Sequence, residues 1–313
     1  MRHTVSLPLL RFSAFATGLS ATLSFCGQPQ KERPTSESVE SKINIVGGRS
    51  TDADTADARR ISTVALTTDL LNAGRNRSAS NKHLLDQGRS FCTATIIAPR
   101  ALMTAAHCIQ EFNPQTNSKS SAFILPSTDD FIAFFGRKVS IDGEWNRAAK
   151  VIPHPDWNPA LTLQPKSDKP AHDIGLILLD EDVPAGYKPV AIAELSLPIQ
   201  IDDPVTLVGY GVTRSRANNN TGTLREVQVP LKEIDERSQR LGVGQFMKGA
   251  CAGDSGGPMY FQDKQGQWWV IGVTSAGIEI LQNCIGLENS YTDARSHKNW
   301  IRSTLAAQGI TIK

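Results

Sequence analysis

The segment Ala250–Pro258, with Gly253, Asp254, Ser255, Gly256 and Gly257 at its centre, has the residue types of a serine nucleophile held on a tight backbone turn. A serine hydroxyl is a poor nucleophile at neutral pH and needs an adjacent base, itself oriented by a carboxylate. The glycines let the chain turn with no Cβ in the way, so that the N–H groups of Gly253 and Ser255 converge on one point, an oxyanion hole. Gly, Asp, Ser and Pro are also ordinary turn formers, and alone the segment reads equally as a loop. The same residues satisfy Gly-x-Ser-x-Gly, which demands a strand before the serine and a helix after it. That continuation fails here, because Met259–Phe261 starts a strand and His297 is the only histidine downstream.

Candidates for the base and the carboxylate lie upstream. His107 sits in Ala101–Cys108 among small residues that leave an imidazole accessible. Asp173 directly precedes the apolar run Ile174–Leu179, a position from which a carboxylate can reach inward and be buried if it is hydrogen-bonded. Taken one at a time, His107 reads as structural, Asp173 as a strand-end cap and the adjacent His172 as a surface or packing residue. The five cysteines, at 26, 92, 108, 251 and 284, show no Cys-x-x-Cys or Cys/His metal spacing, which argues against zinc; no metal or cofactor is expected. Disulfides are the preferred reading. Cys92 and Cys108 would clamp the segments around His107, a closure contributing on the order of 3 kcal/mol. Cys251 and Cys284 are the remaining pair, and Cys26 is the odd one.

The elements that must position these groups are short. With 313 residues and 40% apolar content the chain can build one large core or two ordinary ones. Its charge of +2 comes from 33 basic and 31 acidic residues with no long basic run, which argues against nucleic acid as a partner. Helix-period segments are few, while short apolar runs broken by Gly, Pro, Asn and Asp are many, which predicts an all-β architecture of barrels or sandwiches. Strands are expected in Thr63–Leu66, Phe91–Ile97, Phe131–Phe135, Ala148–Ile152, Val205–Val212 and Trp268–Thr274. Residues 72–87 and 111–130 read as exposed loops, 183–204 as a linker between two halves, and Lys232–Arg240 as a charged, helix-compatible patch. Trp300, Ile301 and Leu305 recur at helical spacing within Ser296–Ala307, which predicts a terminal amphipathic helix.

At the other end, Arg2, His3 and Arg11 precede a mostly apolar run too short for an ordinary membrane span, so residues 1–25 read as a secretion signal. Leu23–Cys26 resembles the lipobox of bacterial lipoproteins, with Phe25 bulkier than that pattern wants. Lipidation of Cys26 and removal of the signal by an ordinary peptidase both stay open. Residues 26–44 are polar and have little to bury, as suits a propeptide or tether.

Four segments in order, Ile45–Gly48, Thr104–Cys108, Asp173–Leu176 and Gly253–Pro258, resemble the signatures of chymotrypsin/trypsin-like serine proteases. The order His, Asp, Ser differs from that of subtilisins and α/β-hydrolases. The resemblance implies two six-stranded antiparallel β-barrels, 45–190 and 191–313, forming one peptidase domain over 45–313, with the active site between them and a C-terminal α-helix. It implies His107, Asp173 and Ser255 as the triad, and Gly253 and Ser255 as oxyanion donors. It also implies a switch, in which cleavage before Ile45 frees an ammonium group that pairs with Asp254. Asn44 rather than Arg or Lys precedes that bond, so a trypsin-like activator would not cut it. Where trypsin-like members place an aspartate at the pocket floor this chain has Gly249, next to Ala250, which predicts against cleavage after Arg or Lys. Ser275, Gly277 and Asn289 are further pocket candidates.

The expected partners are a protein or peptide substrate and an activating protease. The membrane enters only through a lipid on Cys26, and the chain is expected to be a monomer. The resemblance places it as a secreted bacterial member, exported and then free, periplasmic or anchored at the cell envelope. A catalytically silent binding protein on the same fold and a secreted esterase remain alternatives.

Overall fold

A computed structural model describes residues 49–50, 57–67, 90–112, 123–124, 131–140, 143–164, 166–213, 221–244, 248–277 and 288–312. All of them fall in the larger of two units, Ser41–Lys313. The expectations for Cys26, Ile45, Cys284 and the loop at 72–87 therefore lie outside the described residues.

Runs rich in β-branched and apolar side chains, each too short for a helix, pair as antiparallel strands. Strands β1 (Thr63–Thr67), β2 (Cys92–Ala98), β3 (Ala101–Thr104), β4 (Ile132–Phe135), β5 (Glu144–Pro153) and β6 (Gly175–Leu179) close in the order β1-β2-β3-β6-β5-β4. The seam joins β1 to β4, with Ala65 opposite Phe134. Leu66, Ile96, Leu102, Met103 and Ile132 fill the interior.

A second set repeats this plan. Strands β7 (Pro204–Gly209), β8 (Arg225–Asp235), β9 (Arg240–Gly244), β10 (Pro258–Gln262), β11 (Trp268–Gly277) and β12 (Glu288–Asp293) run in the order β8-β7-β10-β11-β12-β9. Pairing of β9 back to β8 closes the ring. Read from its first strand, the cycle is first, second, third, sixth, fifth, fourth, as in the first barrel. The fold is thus two six-stranded antiparallel barrels, followed by a C-terminal helix, Lys298–Ala306, whose Ile301 and Leu305 are fully buried. The first barrel's core cluster runs on into Val208, Tyr210, Tyr260 and Val273 of the second. Polar bonds cross there too, among them Tyr210 Oη to the Gly136 carbonyl at 2.6 Å.

One expectation is corrected. Lys232–Arg240 is not helical. Strand β8 continues to Asp235, the chain turns, and β9 begins at Arg240. The Asp235 carboxylate holds that turn by accepting from the Arg237 and Ser238 amides at 3.0 and 3.2 Å. Ladder pairing with β9 outweighs a local composition that tolerates helix. The segment 183–204 does link the two barrels, running from the strand that ends at Leu179 to the one that begins at Pro204, and it is tied down along the way. Val190 donates its amide to the Ile96 carbonyl, and Ala191–Ile192 adds in parallel to Trp269–Val270 of β11. Within the expected loop 111–130, Glu111–Phe112 pairs with Phe123–Ile124.

Candidate active site

His107 stands in a single helical turn, Ala106–Ile109, which follows β3 directly. A disulfide from Cys108 to Cys92 at the head of β2 fixes that turn to the barrel. Asp173 lies just before β6, after His172 in left-handed backbone (φ 51°), and its side chain has no exposed surface. Its Oδ1 accepts the His107 amide at 3.0 Å, and its Oδ2 accepts His107 Nδ1 at 2.7 Å and Ser275 Oγ at 2.6 Å. A carboxylate only accepts, so Nδ1 carries the proton and Nε2 is left as the basic nitrogen. Burial works against charge on both groups, but their mutual attraction and hydrogen bonds outweigh it. The net effect holds the Asp173 carboxyl below its ordinary value and His107 above 6.5.

The Ser255 turn is stitched to this segment. Thr93 of β2 donates its amide to the Ser255 carbonyl at 2.8 Å and its hydroxyl to the Gly253 carbonyl at 2.9 Å. Gly256 (φ 78°) donates to the Thr274 carbonyl at 2.8 Å. A Cβ on Gly256 would lie 2.0 Å from Thr104 Oγ1 and 3.0 Å from the Ala105 nitrogen. Only glycine lets the turn lie so close to the segment that carries His107. The Ser255 turn is therefore held between that segment and Thr274, whose neighbour Ser275 bonds Asp173. Gly253 takes φ 95°. Among the described residues, the N–H groups of Gly253 and Ser255 donate to no protein acceptor.

Asp254 points the other way, into the second barrel. Its Oδ1 and Oδ2 accept the amides of Gly211 and Cys251, both at 2.8 Å. Gly209 and Gly211 make room for it, since a Cβ on either would approach its carboxylate oxygens to 2.2 or 2.5 Å. Burial pushes its pKa up to about 6, a rise that the two amides and the charge of Arg225 only partly offset.

Residues 73–301 match the family model described as Trypsin. The chain belongs to the trypsin family. Clotting factor G beta subunit of Tachypleus tridentatus is 29% identical over 248 residues, which cover 71% of this chain and 73% of the relative. Transmembrane protease serine 11G of Rattus norvegicus is 24% identical over 250 residues, covering 74% of this chain and 53% of the relative. Mannan-binding lectin serine protease 1 of Mus musculus is 30% identical over 210 residues, covering 61% and 28%. The chain thus spans about half or less of the last two relatives.

On the trypsin fold the groove beside His107 is open, about 540 Å³, and is walled by Trp157, Leu163, Ser275 and Gly277 among others. The remaining pocket candidates cluster around Asn289, which is buried. Its Oδ1 accepts the Ala250 amide at 3.0 Å and lies 2.4 Å from where a Cβ of Gly249 would be. Its Nδ2 lies 2.9 Å from the corresponding point on Gly277. The carboxamide therefore fills the space between the two walls. Cys251 is disulfide-bonded. Sequence reasoning named Ser275 for the pocket and missed its bond to Asp173. It missed Thr93 and the groove residues Trp157 and Leu163 altogether, since nothing in their local pattern announces contacts that only closed barrels create.

Proposed function

We propose that this trypsin-family chain is an exported serine endopeptidase that works through His107, Asp173 and Ser255. The observation that carries this reading is the 2.7 Å bond from Asp173 to His107 Nδ1 at the edge of an open groove, with the Ser255 turn laced to the same segment. Neutral His107 takes the Ser255 proton as the hydroxyl attacks a peptide carbonyl, and the free N–H groups of Gly253 and Ser255 receive the developing oxyanion. His107 then protonates the leaving amine, and water hydrolyses the acyl-enzyme by the same steps. The Asp173 charge fixes the tautomer and stabilises the imidazolium.

The primary pocket takes uncharged side chains, small ones first, because Gly249 supplies no anion and the Asn289 carboxamide occupies the slot. Cleavage before Ile45 activates the chain by giving Asp254 an ammonium partner; its raised pKa supports this, since it marks a buried carboxylate short of compensating charge. The signal over 1–25, the tether over 26–44 and the peptidase domain over 45–313 complete the organisation, with export from a bacterial cell and a lipid on Cys26 resting on the lipobox-like Leu23–Cys26. Among the described residues, no helix is long and apolar enough to cross a membrane.

A fluorophosphonate probe should label the cut chain at Ser255, and His107→Ala should abolish labelling. A peptide library should show turnover after small uncharged residues. Dominant cleavage after Arg or Lys overturns the pocket assignment. Ester turnover without peptide turnover makes the chain an esterase, and failure to label Ser255 in the cut chain overturns the hydrolase reading.

A further inference from the structure

His154 at the end of β5, His172 beside Asp173, and His297 at the start of the terminal helix are far apart in sequence but adjacent in space. One ring nitrogen from each lies within 4.8 Å of those of the other two. His172 Nδ1 is 3.0 Å from His297 Nε2. The His154 and His172 rings stack at 4.7 Å, and His297 meets both edge-on at 5.4 and 5.3 Å.

The hydrogen bonds fix one ligand atom. His297 Nδ1 faces the Asp293 carbonyl at 2.8 Å and must donate to it, so its Nε2 carries no proton and accepts from His172 Nδ1, a bond that a metal ion replaces once the His172 proton moves to that ring's own Nε2. A backbone carbonyl on the far nitrogen is also how metal-bound histidines are oriented. His154 Nδ1 receives the Asp156 amide in a long bond of 3.2 Å, which turning the ring gives up.

We propose that His154, His172 and His297 form a binding site for one divalent transition-metal cation, Zn²⁺ first, with the fourth position left to water. Three imidazoles and one open position are a recurrent zinc arrangement, and nitrogens about 2.0–2.1 Å from a tetrahedral ion sit about 3.3 Å apart. The His172–His297 spacing needs to open by only a few tenths of an ångström, and the half-buried His172 gives an ion its way in. A second group, Cys92, His107 and Cys108, is close enough but cannot serve, because both sulfurs are in a disulfide. The zinc site is independent of the peptidase reading.

The test uses the full chain with Ser255→Ala, which prevents self-cleavage. Zn²⁺ competed against a chromophoric chelator at pH 7 should bind with saturable one-to-one stoichiometry, and His172→Asn should weaken it by about tenfold or more. X-ray absorption of the zinc-loaded parent chain should show a nitrogen and oxygen shell with three imidazole scattering patterns. That readout needs no variant to fold. Non-saturable binding, unchanged affinity in a folded His172→Asn chain, or a shell with no imidazole each overturns the site.

Discussion

Asp173 on the first barrel and Asp254 on the second are the same side chain under the same burial, at 0% and 3% exposure, yet their acidities move in opposite directions. Asp173 accepts three bonds, two of them from His107, whose ring, when protonated, sets a positive charge directly against it. Asp254 accepts two backbone amides, and no lysine or arginine among the described residues forms an ion pair with it. Desolvation raises both; at Asp173 the attraction of His107 and three hydrogen bonds outweigh it, whereas at Asp254 two amides and the charge of Arg225 do not. The first barrel therefore carries a paired carboxylate, while the second holds the Ser255 turn on a carboxylate with which no described lysine or arginine forms an ion pair. In the proposed enzyme this asymmetry puts the control point in the second barrel and leaves the base ready in the first.

Breaking the first side has the largest effect. In Asp173→Asn the oxygen is retained by the His107 amide, which turns the new NH₂ group toward His107 Nδ1. That nitrogen must then accept, the proton moves to Nε2, and the imidazole can no longer take the serine proton. A fall in kcat/KM of about 10⁴ is expected in steady-state assays, with the fold intact. The parent enzyme should also lose activity as pH falls through the raised His107 value, above 6.5, because only the neutral ring is a base. The stability sign is opposite. A histidine raised by its partner stabilises the fold below 6.5 and loses that contribution as pH rises through the folded value. A pH profile with its acid limb at or below 6.5 would contradict the pairing.

Breaking the second side is the next largest. Between 3.8 and about 6 the folded chain holds more protons at Asp254 than the unfolded chain, so stability falls as pH rises across that window. At about 1.4 kcal/mol per pH unit the loss by pH 7 is on the order of 3 kcal/mol. Urea melts at pH 4 and 7 should show the decline in the uncut chain, and Asp254→Asn should abolish that part of it. Cutting before Ile45 should abolish it too if the new ammonium reaches Asp254. An identical pH dependence in the uncut chain, the cut chain and the Asp254→Asn variant would remove the asymmetry.

The two sides were not equally legible in the sequence. Strand identity followed from short apolar runs, and the barrel architecture from motif order. Asp254 was named, but its cost was invisible, because the amides that face it come from Gly211 and Cys251 on separate loops. The His154, His172 and His297 cluster was equally hidden; no pair shares a local motif, and His172 alone reads as packing. Lys232–Arg240 failed differently: its charges suit an exposed helix as well as the solvent face of a strand, and only the partner strand decides. What local pattern carries is the element; what it misses is every bond made by closing one barrel against another.

Ser275 is the finest test of the contrast, because among the described residues it is the side chain through which the second barrel supports the first barrel's carboxylate. Its hydroxyl donates to Asp173 Oδ2 at 2.6 Å, the same oxygen that meets His107. Ser275→Ala leaves the backbone wall of the groove unchanged and removes one charge-assisted bond, a loss of roughly 1.5–3 kcal/mol in a buried setting and less where water can enter. The expected result is about a tenfold fall in kcat with KM unchanged, since the bond acts on the base through its carboxylate rather than on substrate. A change confined to KM would instead make Ser275 a pocket residue, and the link from the second barrel to Asp173 would then carry no weight in catalysis.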